Sequence, residues 1–169
     1  TASGAVSVDL AANAASADGE GSSDTLLRIE NVVGSAQNDT LHGNDVANEL
    51  SGAEGDDVLR GAGGRDVIDG GDGIDDVDYS QAASRVVVDL ATQSASNDGD
   101  GSSDTLTDIE NVTGSDHDDR LAGDATNNVL SGGAGAVTLI GAGGNDTLDG
   151  GAGTSDTADY SDADNAIDV

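Results

Sequence analysis

The chain has 169 residues, with 34 acids against 5 bases for a formal charge of −29, 26 glycines, two tyrosines, and no Phe, Trp, Met, Pro or Cys. Few side chains can return the roughly 1.5–3 kcal/mol that burial of a large apolar group provides, while each ordered backbone residue costs about 1–2 kcal/mol, so a conventional core is excluded. Disulfide staples and cysteine-ligated metals are excluded too, nucleic acid and anionic membrane surfaces are poor partners for this charge, and no apolar run reaches membrane-spanning length.

Such a chain is either disordered or held by an outside agent. A cation bound through oxygen would both supply free energy and relieve the carboxylate repulsion. In chain order, residues 1–33 open with V-x-V-D-L over Val6–Leu10, whose alternation predicts a strand. A polar stretch and D-G-E-G-S-S-D-T-L from Asp18 follow, then I-E-N-V from Ile29. Residues 34–80 carry a period of nine, with Gly34, Gly43, Gly52, Gly61 and Gly70 each opening a copy. Five residues after each glycine stand Asp39, Asn48, Asp57, Asp66 and Asp75, and two further on Leu41, Leu50, Leu59, Ile68 and Val77. Each copy divides into a Gly/Asp turn and a short strand with one inward aliphatic residue.

Residues 81–113 repeat the opening segment about 80 residues on, with V-x-V-D-L at Val86–Leu90, Asp98-Gly99-Asp100-Gly101, Asp104 and I-E-N-V from Ile109. The block 114–161 repeats the nonapeptides from Gly114, Gly123, Gly132, Gly141 and Gly150. Its sixth positions read Asp119, Asn128, Val137, Asp146 and Ser155, and a one-residue slip offers Asp156 in place of Ser155. Residues 162–169 resemble the start of a further unit, so the chain divides into units 1–80 and 81–169. Counting back nine from Asp39 reaches Glu30, and from Leu41 reaches Val32, which extends the phase upstream with one enlarged loop per unit.

The copies G-A-E-G-D-D-V-L-R from Gly52, G-A-G-G-R-D-V-I-D from Gly61 and G-G-D-G-I-D-D-V-D from Gly70 resemble the RTX (hemolysin-type) nonapeptide, G-G-x-G-x-D-x-U-x. That resemblance implies an all-β, right-handed parallel β-roll, a β-solenoid with calcium ions in its turns and two nonapeptides per coil of about 18 residues. It implies ligand roles for Asp39, Asp57 and Asp75 on one edge, with Asn48 and Asp66 on the other. In the second unit it implies Asp119 on one edge, with Asn128 and Asp146 on the other, and Asp156 through the slip. Oxygen-only ligation in flexible loops is calcium chemistry. Val137 breaks the pattern, and the edge around it is expected to bind weakly. Gln37, Val46, His117 and Thr126 replace the second turn glycine, and those turns are expected to be less regular. Asp98, Asp100 and Asp104, with their counterparts Asp18, Glu20 and Asp24, resemble part of an acidic calcium loop, against the plainer reading of a solvated turn.

His42 and His117 are isolated and read as turn residues, and no nucleophile motif is present, so the expectation is a non-enzyme. Resemblance implies a secreted or cell-surface module of a Gram-negative bacterium, exported by a type I system and folding on calcium outside. A surface-layer, adhesin or filament protein is the leading parent, and a secreted protease, lipase or alginate epimerase the alternative. Calcium is the expected partner, with copies of the module end to end as a second, and no nucleic acid or membrane insertion.

Overall fold

The computed structural model describes residues 2–161 and 163, and contains strands and no helix among them. The further unit expected over 162–169 lies outside the described residues, Ala163 apart. The N-terminal strands β1 (Val6–Asp9), β2 (Ala14–Asp18) and β3 (Asp24–Thr25) form an antiparallel ribbon. One strand per nonapeptide phase follows: β4 (Asn31–Val33), β5 (Thr40–His42), β6 (Glu49–Glu54), β7 (Val58–Arg60), β8 (Val67–Asp72) and β9 (Asp76–Asp78). A second ribbon comprises β10 (Val87–Asp89), β11 (Ser94–Asn97) and β12 (Asp104–Thr107). The second block is β13 (Asn111–Thr113), β14 (Arg120–Ala122), β15 (Val129–Ser131), β16 (Thr138–Ile140), β17 (Thr147–Asp149) and β18 (Thr157–Ala158).

Successive nonapeptides go to opposite walls, so hydrogen-bonded neighbours stand 18 residues apart, as in Leu41↔Leu59 and Leu50↔Ile68. One wall runs β17-β15-β13-β9-β7-β5-β1-β2-β3 and the other β18-β16-β14-β10-β11-β12-β8-β6-β4. A three-residue strand points only its middle side chain inward. Leu41, Leu59, Val77, Val112 and Leu130 from the first wall and Leu50, Ile68, Leu106, Leu121 and Leu139 from the second are all buried, in one core cluster. That cluster is narrow, one inward and mostly aliphatic side chain per short strand from each wall with Tyr79 among them, which is all this composition can fill.

The V-x-V-D-L segments are strands as expected, and the enlarged loop expected after each one contains two further strands, β2 and β3 in the first unit and β11 and β12 in the second. Val88 pairs with Ala95, and Ala95 in turn with Asp104, so the ribbon lies within the wall and packs Val86, Val88, Leu90 and Ala95 into the core. Each ribbon turn passes through a left-handed residue, Asn13 (φ 59) in one and Gln93 (φ 54) in the other. Each ribbon also adds strands to one wall only. Along the solenoid, seven half-coils separate β4 from its 80-residue counterpart β13, an odd number, so the two lie in opposite walls. The first unit therefore places its ribbon in the first wall and the second unit in the second.

Candidate metal centre

The sixth-position side chains of the turns form two columns, one along each edge of the solenoid. Each carboxylate reaches back one coil to a main-chain N–H. Asp57 Oδ1 accepts from Asp39 N (2.7 Å), Asp75 Oδ1 from Asp57 N (2.8 Å), and Glu110 Oε2 from Asp75 N (2.9 Å). On the opposite edge Asp66 Oδ1 accepts from Asn48 N (2.8 Å) and Asp104 Oδ1 from Asp66 N (3.1 Å). In the second unit Asp146 Oδ1 accepts from Asn128 N (3.0 Å) and Asp156 Oδ1 from Val137 N (3.1 Å). Thr157 pairs with Thr138, so the one-residue slip is absorbed before β18 and Asp156 takes the column position.

Turns of two kinds share this column, and the second turn residue separates them. In the leading copies of each block it is Ser35, Asn44, Ser115 or Asp124, whose side chain accepts from the N–H of Gln37, Val46, His117 or Thr126. Side-chain-to-backbone bonds of this type hold a turn without a second glycine. These turns then use up their sixth side chain. Ser35 N donates to Asp39 Oδ2, Ser115 N to Asp119 Oδ2 (2.6 Å), Asn44 N to Asn48 Oδ1 (2.8 Å) and Asp124 N to Asn128 Oδ1 (2.8 Å). The remaining atoms of the aspartates fasten the ribbon to the coil, and those of the asparagines fasten one coil to the coil before it. Val6 N donates to Asp39 Oδ1 (2.7 Å) and Val86 N to Asp119 Oδ1 (2.7 Å). The amides of Asn48 and Asn128 donate to the carbonyls of Glu30 (2.9 Å) and Glu110 (2.8 Å).

In the other turns the second residue is small and left-handed, as at Ala53 (φ 87), Ala62 (φ 64) and Gly71 (φ 99), and its N–H does not reach the carboxylate. Asp57, Asp66 and Asp75 are 0–1% exposed, and the Oδ2 of each is buried without a hydrogen-bond partner. Burial raises all three carboxyls, Asp66 to about 7 and Asp75 to about 6. The carboxylates lie beneath the opening glycines of their own turns. A Cβ at Gly52 would collide with Asp57 Oδ2 and stand 2.5 Å from the Gly70 carbonyl oxygen, so only glycine lets the coils stack this closely. A buried oxygen without a donor is costly unless a cation meets it, so these three turns fit calcium. Among the described residues no three acidic or histidine side chains converge into a cation cage, so main-chain oxygens would have to complete any ligand set.

Val137 shows the alternative filling. It is 1% exposed, and its methyl groups would stand 3.0–3.1 Å from a Cβ on Gly132, where the other turns hold a carboxylate oxygen.

Between β11 and β12, Asp98 Oδ1 accepts from Asp100 N (2.8 Å) and Ser102 N (2.9 Å), and Asp98 Oδ2 is a further buried oxygen without a partner. Asp104 sits beside Asp66 and accepts from the Tyr79 hydroxyl (3.0 Å), while burial raises its carboxyl to about 6. Asp100 is exposed and accepts from Ala83 N (3.2 Å). In the first ribbon Asp18 accepts from Glu20 N (2.8 Å) and Ser22 N (3.0 Å), which holds its carboxyl below the usual range, and Glu20 and Asp24 are exposed. Tyr79 is buried in the core and Tyr160 is exposed. His42 lies on β5 instead of in a turn.

The nine-residue phase that reaches Glu30 upstream of the first block reaches Glu110 upstream of the second, without assigning it a ligand role, and the structure places Glu110 in the column. Sequence reasoning missed the existence of two kinds of turn. The signal for them was present, since a polar second residue accompanies every loss of the fourth-position glycine in the leading copies.

A two-walled solenoid with carboxylate columns and buried, donor-less carboxylate oxygens has the architecture of a metal-binding repeat protein. The RTX calcium-binding nonapeptide repeat family matches in four copies, over residues 28–45, 42–77, 113–136 and 123–155, together more than half of the chain. The chain belongs to that family, a structural calcium-binding module. None of the curated proteins compared with it matches. Both ribbons lie outside the matched segments. Among the described residues no helix is long and apolar enough to cross a membrane.

Proposed function

We propose that this chain is a calcium-stabilised structural module of a large secreted bacterial protein, of surface-layer, adhesin or filament type, and that it folds on meeting calcium after export. The observation that carries this reading is the set of buried, donor-less oxygens on Asp57, Asp66 and Asp75 in a chain of net charge −29. Calcium would supply the positive charge those oxygens lack. The chain's own residues do the rest. The Oδ1 atoms tie each coil to the one before, the glycines admit the carboxylates beneath the turn, and the narrow core sets the spacing. Without the cation, desolvated carboxylates at successive coils repel one another and the coil does not close.

Within this reading Asp57, Asp66 and Asp75 are the principal ligands of the first unit, with Asp146 and Asp156 in their places in the second. Asp98 offers its donor-less Oδ2 where the second ribbon joins the column, beside Asp104, whose two oxygens accept from Asp66 N and the Tyr79 hydroxyl. Asp39 and Asp119 act mainly as ties between ribbon and coil, and Asn48 and Asn128 as ties between successive coils, since their oxygens already accept N–H groups. The module is non-catalytic, because its buried acids serve the main chain. Extracellular calcium modules bind at about 10⁻⁴–10⁻³ M, and coupled sites in one column sharpen the transition.

Circular dichroism tests the reading. The chain in excess chelator is expected to give a disordered spectrum and to gain β signal as calcium is added. A variant carrying D57N, D66N and D75N together is expected to need several-fold more calcium. A β spectrum that persists in chelator, or a variant with an unchanged midpoint, would refute it.

A further inference from the structure

Four strand edges are left without a partner among the described residues, β3 and β4 at one end of the solenoid and β17 and β18 at the other. The molecule already contains the joint that would close them. Between the units, β8 pairs with β12 through Leu106↔Ile68, and β9 pairs with β13 through Val112↔Val77. Shifted by one repeat, the strands on the two sides of that joint are β17 and β18 at one end and β3 and β4 at the other. Strands β17 and β3 are the two ends of one wall, and β18 and β4 the two ends of the other. A second copy placed head to tail therefore continues both walls, without rotation of one wall onto the other.

The side chains at the two ends are those that the internal joint buries. Tyr79 is 4% exposed and donates to Asp104, whereas its counterpart Tyr160 is 46% exposed and the counterpart acid Asp24 is exposed at the opposite end. Ile109 is 6% exposed and its counterpart Ile29 is 41% exposed. Leu27 and Val33, both strongly exposed, stand where the internal joint has Thr107 and Thr113, so the open end is more apolar than the joint it would copy.

One substitution separates contact between copies from a mere echo of the repeat. In the internal joint two acids meet, because Asp69, raised chiefly by burial, also feels the charge of Asp108. Their counterparts at the ends are Asp149 and Arg28. The like-charge pair thus becomes an opposite-charge pair, and Arg28 keeps the left-handed backbone (φ 59) that Asp108 has (φ 48). We infer that the β17–β18 end of one copy docks on the β3–β4 end of a second copy, with Asp149 against Arg28, Tyr160 against Asp24, and Leu148 stacked on Leu26.

This inference rests on the structural-module reading, and it specifies the partner as the chain itself. The test is sedimentation velocity of the whole chain in millimolar calcium, with circular dichroism on the same samples. Concentration-dependent, end-to-end oligomers are expected. R28D recreates the internal acid pair and is expected to lower the association constant roughly three- to ten-fold, as is D149R, which sets two arginines together. Mixing R28D with D149R puts an acid opposite a base at every joint between unlike copies and is expected to restore assembly. A β-folded wild-type chain that stays monomeric, or a mixture no better than its components, overturns the interface and leaves the calcium reading standing. Oligomers that form in chelator from a folded chain overturn the calcium reading and leave the interface standing.

Discussion

At the sixth turn position the choice of one side chain decides whether a turn needs help from outside. Aspartate there leaves one oxygen without a donor when the second turn residue is left-handed, as at Asp57, Asp66 and Asp75. Asparagine closes its own turn and donates its amide to a carbonyl of the preceding coil, as at Asn48 to Glu30 and Asn128 to Glu110. Valine fills the space with methyl groups at position 137. Replacing Val137 by Asp exchanges a satisfied apolar contact for a buried carboxylate. At low calcium V137D is expected to be less folded than the wild type, because an unpartnered buried charge is penalised. At saturating calcium it is expected to bind additional metal and melt about 2–4 °C higher, the shift that roughly 1 kcal/mol gives in a chain of this size. Calorimetric titration and thermal melts check both arms, and no change in either would remove position 137 from the column.

The element that sequence periodicity could not resolve is the ribbon. Val6–Leu10 and Val86–Leu90 alternate visibly, but the middle strand Ser94–Asn97 has a single small core residue, Ala95, and no period to announce it. Its own partners, β10 and β12, are its neighbours in sequence, but the ribbon as a whole is placed by distant ones, with β12 resting on β8 across 38 residues. The ribbon is an addition to one wall, since the joint between β8–β9 and β12–β13 does not involve β10 or β11. Deleting residues 83–102 returns Leu106 to nine residues after Val77. The shortened chain is expected to keep calcium-dependent β structure, with β14 taking β12 as its partner in place of β10. A deletion variant that stays disordered at all calcium concentrations would show that the ribbon is needed to close the coil.

Across the whole molecule the charge of −29 is the dominant unfavourable factor, and protonation relieves it as a cation would. Burial raises Asp66 to about 7 and Asp75, Asp76 and Asp104 to about 6. An acid whose folded value lies above its unfolded value binds more protons when folded, so the metal-free fold gains stability as pH falls. That gain is complete below the unfolded value of 3.8 and is lost as pH rises through about 6–7. In calcium-free buffer the β signal is therefore expected to grow between pH 7 and pH 4, and a flat profile would place these carboxyls in water. The glycines, acids and aliphatic residues at every ninth place determined, by themselves, a coiled β chain whose missing core must be replaced by bound cations, because local turn chemistry and one inward residue per strand need no distant partner. Which carboxylate oxygens are left without a donor, and that each repeat turns its ribbon to the opposite wall, were decided only in three dimensions. The first depends on whether a turn's own N–H reaches the side chain, and the second on an odd number of half-coils, which becomes visible only once the strands have found their walls.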